Sequence, residues 1–209
     1  MSAQIENIVT SGTFSLDGGT WDVDNNVWLI GDEQEVLVID PAHEPQKVLD
    51  AIGDRTVKAV LLTHGHDDHI RAAGEFADEV DAPLYLNPAD MMLWDAVYPE
   101  RQPDVEVKDG DEYSIAGVTL KALHTPGHSP GSTCFHVPEL DVLFSGDTLF
   151  HGGPGATGRS YSSFETIIES IRERLLTLPE KTVVYTGHGE STSIGAEAPN
   201  LDEWIARGH

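Results

Sequence analysis

Three histidines and two aspartates stand within residues 63–69, which read Thr-His-Gly-His-Asp-Asp-His. Neutral imidazoles bind zinc through a ring nitrogen and carboxylates bind it through oxygen, so this density favours a metal site over a proton relay. Without a metal or a counter-ion, three neighbouring imidazoles are hard to keep neutral and hydrogen-bonded. The segment therefore predicts four metal ligands, which are His64, His66, Asp68 and His69.

Three further polar turns supply candidate ligands from distant parts of the chain. Like the 63–69 segment, each follows a short apolar run of β-like sequence and contains a glycine that allows a tight bend. The candidate ligands in these turns are His128, Asp147 and His188. The shared pattern predicts strands that deliver their carboxyl-terminal turns to one site. His124 flanks one of these turns, where it could donate a hydrogen bond to a ligand or to the backbone.

The elements that must position these turns alternate between β-like and helical sequence. A hairpin is expected over residues 27–39, and a helix that starts at the ligands is expected over residues 70–77. The glycine-rich residues 151–158 are predicted to be a loop beside the site. Ser162 and Glu165 form a capping-box pattern before a helical apolar period. This mixed order predicts an α/β (α+β) fold with two sheets and helices packed outside them.

Composition sets further bounds on the protein. With 209 residues and no long linker, the chain is expected to form one domain over residues 1–209. It has 36 acidic and 12 basic residues, a formal net charge of −24, which disfavours binding to nucleic acid and to anionic membranes. Cys134, the only cysteine, cannot form an intrachain disulfide. No leader or membrane-spanning run is evident, so a cytoplasmic protein is expected, with its oligomeric state left open.

The order of these motifs resembles that of the metallo-β-lactamase superfamily. The resemblance implies an αββα sandwich with a dinuclear metal site at the open edge between its sheets. His64, His66 and His128 would hold the first metal, while Asp68, His69 and His188 would hold the second and Asp147 would bridge the two. The cysteine-containing β-lactamases carry Cys where Asp147 stands, so antibiotic hydrolysis is not expected.

Within this superfamily, residues 62–66, 124–132 and 144–150 are most similar to the glyoxalase II-like hydrolases, which cleave thioesters. The resemblance implies two zinc ions per chain, with iron or manganese as alternatives, and a small-molecule thioester substrate. Such cations acidify a shared water and polarise the substrate carbonyl. Asp68 is predicted to be catalytic as the acceptor of the water's proton. The basic residues that grip glutathione in the full-length enzymes have no counterpart here, so the thiol carrier stays open.

Three other functions fit the same residues. A persulfide dioxygenase of this fold would hold one iron through His64, His128 and Asp147, and a lactonase would use the dinuclear site on another ester. A metal-binding scaffold without activity is the third. Arg71 and Arg159 are the basic residues nearest the predicted site in sequence, and either could bind a substrate carboxylate or pair with one of the many acids.

Overall fold

The computed structural model describes residues 2–208 and contains two six-stranded sheets. The first sheet has its strands in sequence order, namely β1 (Gln4–Leu16), β2 (Gly19–Gly31), β3 (Glu35–Ile39), β4 (Thr56–Leu61), β5 (Leu84–Leu86) and β6 (Val105–Glu106). Its first three strands are antiparallel neighbours, and β3 to β6 run parallel. The hairpin predicted over residues 27–39 is the β2–β3 pair.

The second sheet is assembled from the later part of the chain. Its strands are β7 (Glu112–Ile115), β8 (Val118–His124), β9 (Thr133–Val137), β10 (Val142–Gly146), β13 (Val183–Thr186) and β14 (Thr192–Ser193), in the spatial order β14-β13-β10-β9-β8-β7. Only β10 and β13 are parallel, so their carboxyl ends reach the same edge. A small third sheet pairs β11 (Leu149–Phe150) with β12 (Gly153–Pro154).

Helices cover the outer face of each sheet. They are α1 (Pro45–Ile52), α2 (Asp67–Ile70), α3 (Ala73–Glu79), α4 (Met91–Val97), α5 (Phe164–Ser170), α6 (Ile194–Glu197) and α7 (Leu201–Arg207). A π-helical turn at Ile171–Leu175 continues α5, and short 3-10 turns lie at Pro88–Asp90, Pro138–Leu140 and Ala198–Asn200. Within residues 2–208, no helix combines the length and the apolar character needed to cross a bilayer.

The period-2 alternation of each strand sorts its residues into two cores. On β3, Leu37 and Ile39 pack between the sheets with Phe135 and Phe144 of the second sheet. Val36 and Val38 point the other way and pack with Phe76 and other residues of the helical layer. A third cluster buries Leu143 of β10 against Ile167 and Ile171. The layers are thus helix, sheet, sheet, helix, and the αββα expectation is confirmed.

The first hairpin was only partly anticipated. Its turn is Asp17-Gly18, where both residues have positive φ (53° and 78°), the conformation that a two-residue turn between twisted strands requires. β1 begins at Gln4 and lies wholly before the hairpin predicted over residues 27–39. It is an edge strand, and the mixed polar and apolar residues of its first half give little strand signal.

Three local predictions were wrong in detail. The helix expected over residues 70–77 is split into α2 and α3, so only the four-residue α2 begins at the site. Part of the glycine-rich segment is strand, because Gly153–Pro154 pairs with Leu149–Phe150. The cap of α5 is Ser163, whose side chain accepts from the Thr166 amide, whereas the hydroxyl of Ser162 accepts from Gly158 and Arg159.

Candidate metal centre

The predicted ligands come together at one edge of the sandwich, where strands of both sheets end. The turn after β4 carries His64 and His66, the helix α2 that follows it carries Asp68 and His69, and the other three donors follow β8, β10 and β13. Six of the seven donors are less than 10% exposed, and His188 is partly exposed at the rim. Residues separated by more than 120 positions therefore share one small buried volume.

The first group of donors consists of three imidazoles. Nδ1 of His66 lies 3.0 Å from Nε2 of His64 and 2.9 Å from Nε2 of His128. One ring nitrogen from each of the three residues lies within 4.8 Å of the other two. These are the three residues that the family resemblance implied for the first metal.

The second group combines a carboxylate with two imidazoles. Nε2 of His188 lies 3.2 Å from both Oδ2 of Asp68 and Nε2 of His69. Oδ2 of Asp68 is also 3.6 Å from Nε2 of His69. This mixed oxygen and nitrogen set suits zinc, iron and related divalent metals.

Asp147 lies between the two groups. Its Oδ1 is 3.3 Å from Nε2 of His69, and its Oδ2 is 3.3 Å from Nε2 of His188. The same Oδ2 is 3.5 Å from Nε2 of His128 in the first group. One carboxylate thus reaches nitrogens of both groups.

Hydrogen bonds at the outer ring nitrogens fix three imidazole tautomers. Nδ1 of His128 donates to the carbonyl oxygen of Ala156 at 2.8 Å, and Nδ1 of His188 donates to that of Asp24 at 2.7 Å. Nδ1 of His69 donates to Oδ2 of Asp40 at 2.9 Å. In the neutral rings, each Nε2 then carries a lone pair directed at the centre of the cluster.

His64 is oriented through an intervening hydroxyl. The Thr63 hydroxyl donates its single proton to Oδ2 of Asp40 at 2.6 Å. It can therefore only accept from Nδ1 of His64, which lies 3.1 Å away. Nε2 of His64 is left unprotonated and faces Nδ1 of His66.

A bound metal would satisfy the inner nitrogens in a way that hydrogen bonds cannot. Nε2 of His64 and Nε2 of His128 both present lone pairs to the same Nδ1 of His66, which can carry at most one proton. Nε2 of His66 is buried and has no hydrogen-bond partner. Three convergent nitrogen donors with too few protons between them are the ligand set that a divalent cation requires, so the residues fit a metal.

The pKa values divide the cluster in the same way. Burial, reinforced by neighbouring imidazoles, lowers the pKa of His66 to about 3 and keeps that of His64 well below its ordinary value. Burial opposes protonation of His188 too, but the Asp147 carboxylate outweighs it and raises the pKa of His188 to about 10. Asp147 and Asp68 likewise overcome burial at His69 and raise its pKa. His64 and His66 of the first group are therefore neutral, while the second group pairs cationic imidazoles with carboxylates.

Three residues that the sequence reading did not select support the donors. Asp40 accepts from His69, the Thr63 hydroxyl and the Thr63 amide. Asn25 donates to Oδ2 of Asp68 at 3.1 Å. Asp90 accepts from the Gly65 amide, the Ser129 hydroxyl and the Gly131 amide. Asp40 follows the apolar strand β3, so it shares part of the signal that marked the four turns, but its own turn contains no glycine. Asn25 stands inside β2 and carries no such signal.

The donors open onto a cavity of about 260 Å³. Its floor contains donors of both groups, and its walls include the side chains of Phe14, Phe150, Ala156, Arg159 and Ser162. The Phe14 ring lies 5.3 Å from the His66 ring. A substrate in this cavity would contact the cluster on one side and an apolar wall on the other.

Residues 20–188 match the sequence model of the metallo-β-lactamase superfamily, and this match covers more than half of the chain. The chain belongs to the metallo-β-lactamase superfamily. Its donor cluster is accordingly a metal-binding site, at the position in the fold that the resemblance implied.

Two sequence relatives and one solved structure are similar to this superfamily member over most of its length. It is 40% identical over 187 residues to the probable metallo-hydrolase YqgX of Bacillus subtilis, covering 83% of this chain and 88% of the relative. It is 34% identical over 181 residues to the hydroxyacylglutathione hydrolase GloC of Haemophilus influenzae, covering 79% and 85%. The structure of TTHA1623 in a di-iron-bound form has 33% identity and a TM-score of 0.73, covering 84% and 93%.

The three other candidate residues of this metallo-β-lactamase superfamily chain make different contacts. Nε2 of His124 donates to the carbonyl oxygen of Pro130 at 2.8 Å. His124 therefore binds the backbone and not a metal ligand through this nitrogen. Arg71 forms an ion pair with Asp67 one helical turn away. Arg159 instead lines the cavity.

Proposed function

We propose that the protein is a hydrolase that cleaves thioesters with two divalent cations, zinc in the first instance. His64, His66 and His128 would hold one cation, Asp68, His69 and His188 the other, and Asp147 both. The observation that carries the proposal is the Asp147 carboxylate, whose oxygens lie within 3.5 Å of nitrogens from both donor groups. The name of the Haemophilus relative, a hydroxyacylglutathione hydrolase, supports the substrate class.

Divalent cations held by these residues would polarise the substrate carbonyl and lower the pKa of a water from ~15.7 toward ~7. The protein's own groups must orient that water. Oδ2 of Asp68 is held by Asn25 beside the cavity, and although burial opposes ionisation, His69 helps lower the pKa of Asp68 to about 2. A carboxylate this acidic is a weak proton acceptor at neutral pH but accepts hydrogen bonds well. We therefore assign Asp68 chiefly to holding the attacking water.

The leaving group explains why a thioester suits this cavity. Water adds to the carbonyl carbon, the carbon–sulfur bond breaks, and the products are a carboxylic acid and a thiol. A thiolate has a pKa near ~8.5 and can depart without prior protonation. An amide nitrogen needs a proton from a general acid, and the cavity walls described above offer only Phe14, Phe150, Ala156, Arg159 and Ser162.

The test is a substrate panel run on protein whose metal content is measured. Thioesters, lactones, a β-lactam and a persulfide with oxygen uptake would be compared, with metals counted by mass spectrometry. We expect two divalent metals per chain and turnover of thioesters above the other classes. The Asp68→Ala variant should lose about 100-fold or more in kcat, while Asp67→Ala, an adjacent carboxylate outside the donor set, is the matched control. Turnover of lactones alone, or Asp68→Ala with full activity, would refute the proposal.

Metal identity is the point on which the alternative function depends. The di-iron form of TTHA1623 is an observation in favour of iron at such a centre. One iron per chain with oxygen consumption on a persulfide would indicate the dioxygenase. In that case His64, His128 and Asp147 would hold the iron. Two irons with thioester turnover would retain the proposed reaction and change only the cofactor.

A further inference from the structure

Arg159 presents a positive charge at the wall of the cavity. Its guanidinium carbon lies 3.9 Å from the centroid of the Trp21 ring and 5.5 Å from that of Phe14. Both aromatic residues belong to the β1–β2 hairpin, and their rings stack at 5.8 Å. A guanidinium that stacks on an aromatic face keeps its N–H groups in its own plane, where they are available to a planar anion.

The guanidinium of Arg159 forms no ion pair with a carboxylate among residues 2–208, although its charge helps the hydrogen bonds from Ser160 to lower the pKa of the nearby Asp17 carboxyl. This is notable in a chain with three times as many acids as Lys and Arg residues. Four other arginines are paired with carboxylates, namely Arg55, Arg71, Arg101 and Arg174. The described side chains thus leave the N–H fork of Arg159 unused, next to the metal-binding cluster.

The position of Arg159 is fixed from two sides. The Ser162 hydroxyl accepts from the Arg159 amide at 3.1 Å and donates to the Arg159 carbonyl oxygen at 2.7 Å, which closes a tight turn. Both carboxylate oxygens of Asp17, at the tip of the hairpin, accept from Ser160 at 2.9 and 2.6 Å. The hairpin that carries Trp21 is thereby tied to the loop that carries Arg159, and Asp17 is engaged by Ser160.

We propose that Arg159 binds a carboxylate of the substrate, so that the preferred thioesters are anionic. This inference rests on the proposed thioester hydrolysis and names its substrate class. The carboxylate could belong to the acyl part or to the thiol part. A monoanion fits better than a phosphate, because Arg159 is the sole Lys or Arg side chain among the described residues that line the cavity, and the carboxylates of Asp68 and Asp147 line it too.

The size of the cavity is consistent with a substrate that contacts the donor cluster at one end and Arg159 at the other. About 260 Å³ is slightly below the ~300–1,000 Å³ usual for sites that enclose a whole ligand. The cavity would hold the thioester and a short apolar segment against Phe14 and Phe150. Arg159 then holds the charged end near the opening, where Trp21 is 41% exposed.

The test compares matched thioesters that differ only in a carboxylate. Succinyl and butyryl thioesters of mercaptoethanol place or remove it on the acyl part, and butyryl thioesters of mercaptopropionate and of its methyl ester do so on the thiol part. For the metal-loaded wild type we expect a higher kcat/KM for one anionic member. That selectivity ratio should fall about tenfold in Arg159→Gln, with Arg159→Lys intermediate. The matched control Arg172→Gln removes an exposed arginine of the π-helical turn and should keep the ratio.

A binding measurement separates this inference from the proposed reaction. Calorimetry with non-hydrolysable thioethers that carry the same carboxylates should show about tenfold weaker binding to Arg159→Gln than to the wild type. The inference stands if the anionic thioethers show this loss, even when no thioester is turned over and the proposed reaction fails. Equal ratios for wild type and Arg159→Gln, or equal binding of anionic and esterified thioethers, would overturn it.

Discussion

The arrangement of the donors depends on single protons at the outer ring nitrogens. A carboxylate and two backbone carbonyls accept from Nδ1 of His69, His128 and His188, so Nε2 is the nitrogen of each ring that binds a cation once it is unprotonated. Asp40 is the most consequential of these acceptors because it also holds Thr63, which orients His64. It adopts a strained backbone with φ of 51° and is 1% exposed, so its position is determined by these contacts.

Replacing Asp40 with Asn should weaken metal binding without a change of shape. Asn tolerates the positive φ, but its amide has one acceptor where Asp40 has two, so it must present a donor to Thr63 or to Nδ1 of His69. His69 can then shift its proton to Nε2, the position a metal needs. Chelator competition should show a loss of about 10- to 100-fold in affinity for the metal held by His69.

Asp81→Asn is the control for this change. Asp81 has nearly the same φ, 52°, but is exposed and outside the donor cluster. Metal affinity should be unaltered in that variant. An Asp40→Asn protein that binds both metals as tightly as the wild type would show that the Asp40 contacts do not set the tautomer.

The two donor groups should respond differently to pH. A raised pKa means that His188, at about 10, and His69 carry protons at pH 7, and a metal must displace them. Affinity at this group should therefore rise with pH toward 10 and fall as pH falls. The pKa of His66 is about 3 and that of His64 is well below its ordinary value, so these two ligands are already neutral and should add little pH dependence to metal binding between pH 6 and 8.

Calorimetry in two buffers of different protonation enthalpy measures this difference, because it counts the protons released by each metal. The metal bound at His69 and His188 should release more protons than the metal bound at His64 and His66. Equal proton release by both metals would contradict the assignment of charge within the cluster.

At the scale of elements, the site depends on loops that reach it from both sheets. Asp90, at the start of α4, joins two of them, because it accepts from Gly65 in the loop after β4 and from Ser129 and Gly131 in the loop after β8. It is fully buried, and burial raises the pKa of its carboxyl despite these donors. The contact fixes His66 relative to His128, which stand 62 positions apart.

Removing this link with Asp90→Ala should lower the free energy of unfolding by about 3 kcal/mol, because three buried donors lose their acceptor. The variant's affinity for the first metal should also fall more, relative to the wild type, than its affinity for the second, since Asp90 holds the loops of the first group. Denaturant unfolding and a metal titration measure the two effects. Asp95→Ala, on the exposed face of α4, should stay within about 0.5 kcal/mol of the wild type. A similar small effect for Asp90→Ala would remove it from this role.

At the scale of the whole molecule, charge is the dominant feature. The acidic residues that give the net charge of −24 repel one another across the folded surface. The described ion pairs involve only a minority of the 36 acids. Two divalent cations would offset a small part of this charge locally. The expectations that nucleic acid and anionic membranes are not partners, and that the protein is cytoplasmic, stay predictions.

Salt should stabilise the fold by screening this repulsion. The Debye length falls from about 10 Å at 0.1 M to about 3 Å at 1 M, so most of the gain should come below 1 M. Each kcal/mol gained raises Tm by about 2–4 °C for a chain of this size. Thermal unfolding in NaCl and KCl should show the same rise, because screening depends on ionic strength rather than on ion identity. A Tm that is constant or lower at 1 M salt would exclude self-repulsion as a significant destabilising effect.

The seven donors and the layered fold were predictable because their signals are local. A polar turn with a glycine after an apolar run marks the end of a strand, and a short continuous apolar run marks a strand with two buried faces. The short pairing at Gly153–Pro154 and the cap at Ser163 could not be located this way, since each depends on a shift of one or two residues that tertiary contacts decide.

The sequence by itself determined which side chains could bind metal and the superfamily to which they belong. Only the tertiary structure decided which residues hold the donors in place and which protons the donors carry, because those depend on Asp40, Asn25 and Asp90, which stand 23 to 43 positions from the groups they hold. It also separated two arginines that were equivalent in sequence. Arg71 found a carboxylate one helical turn away, whereas Arg159 was carried by its loop to the rings of a hairpin more than a hundred residues earlier.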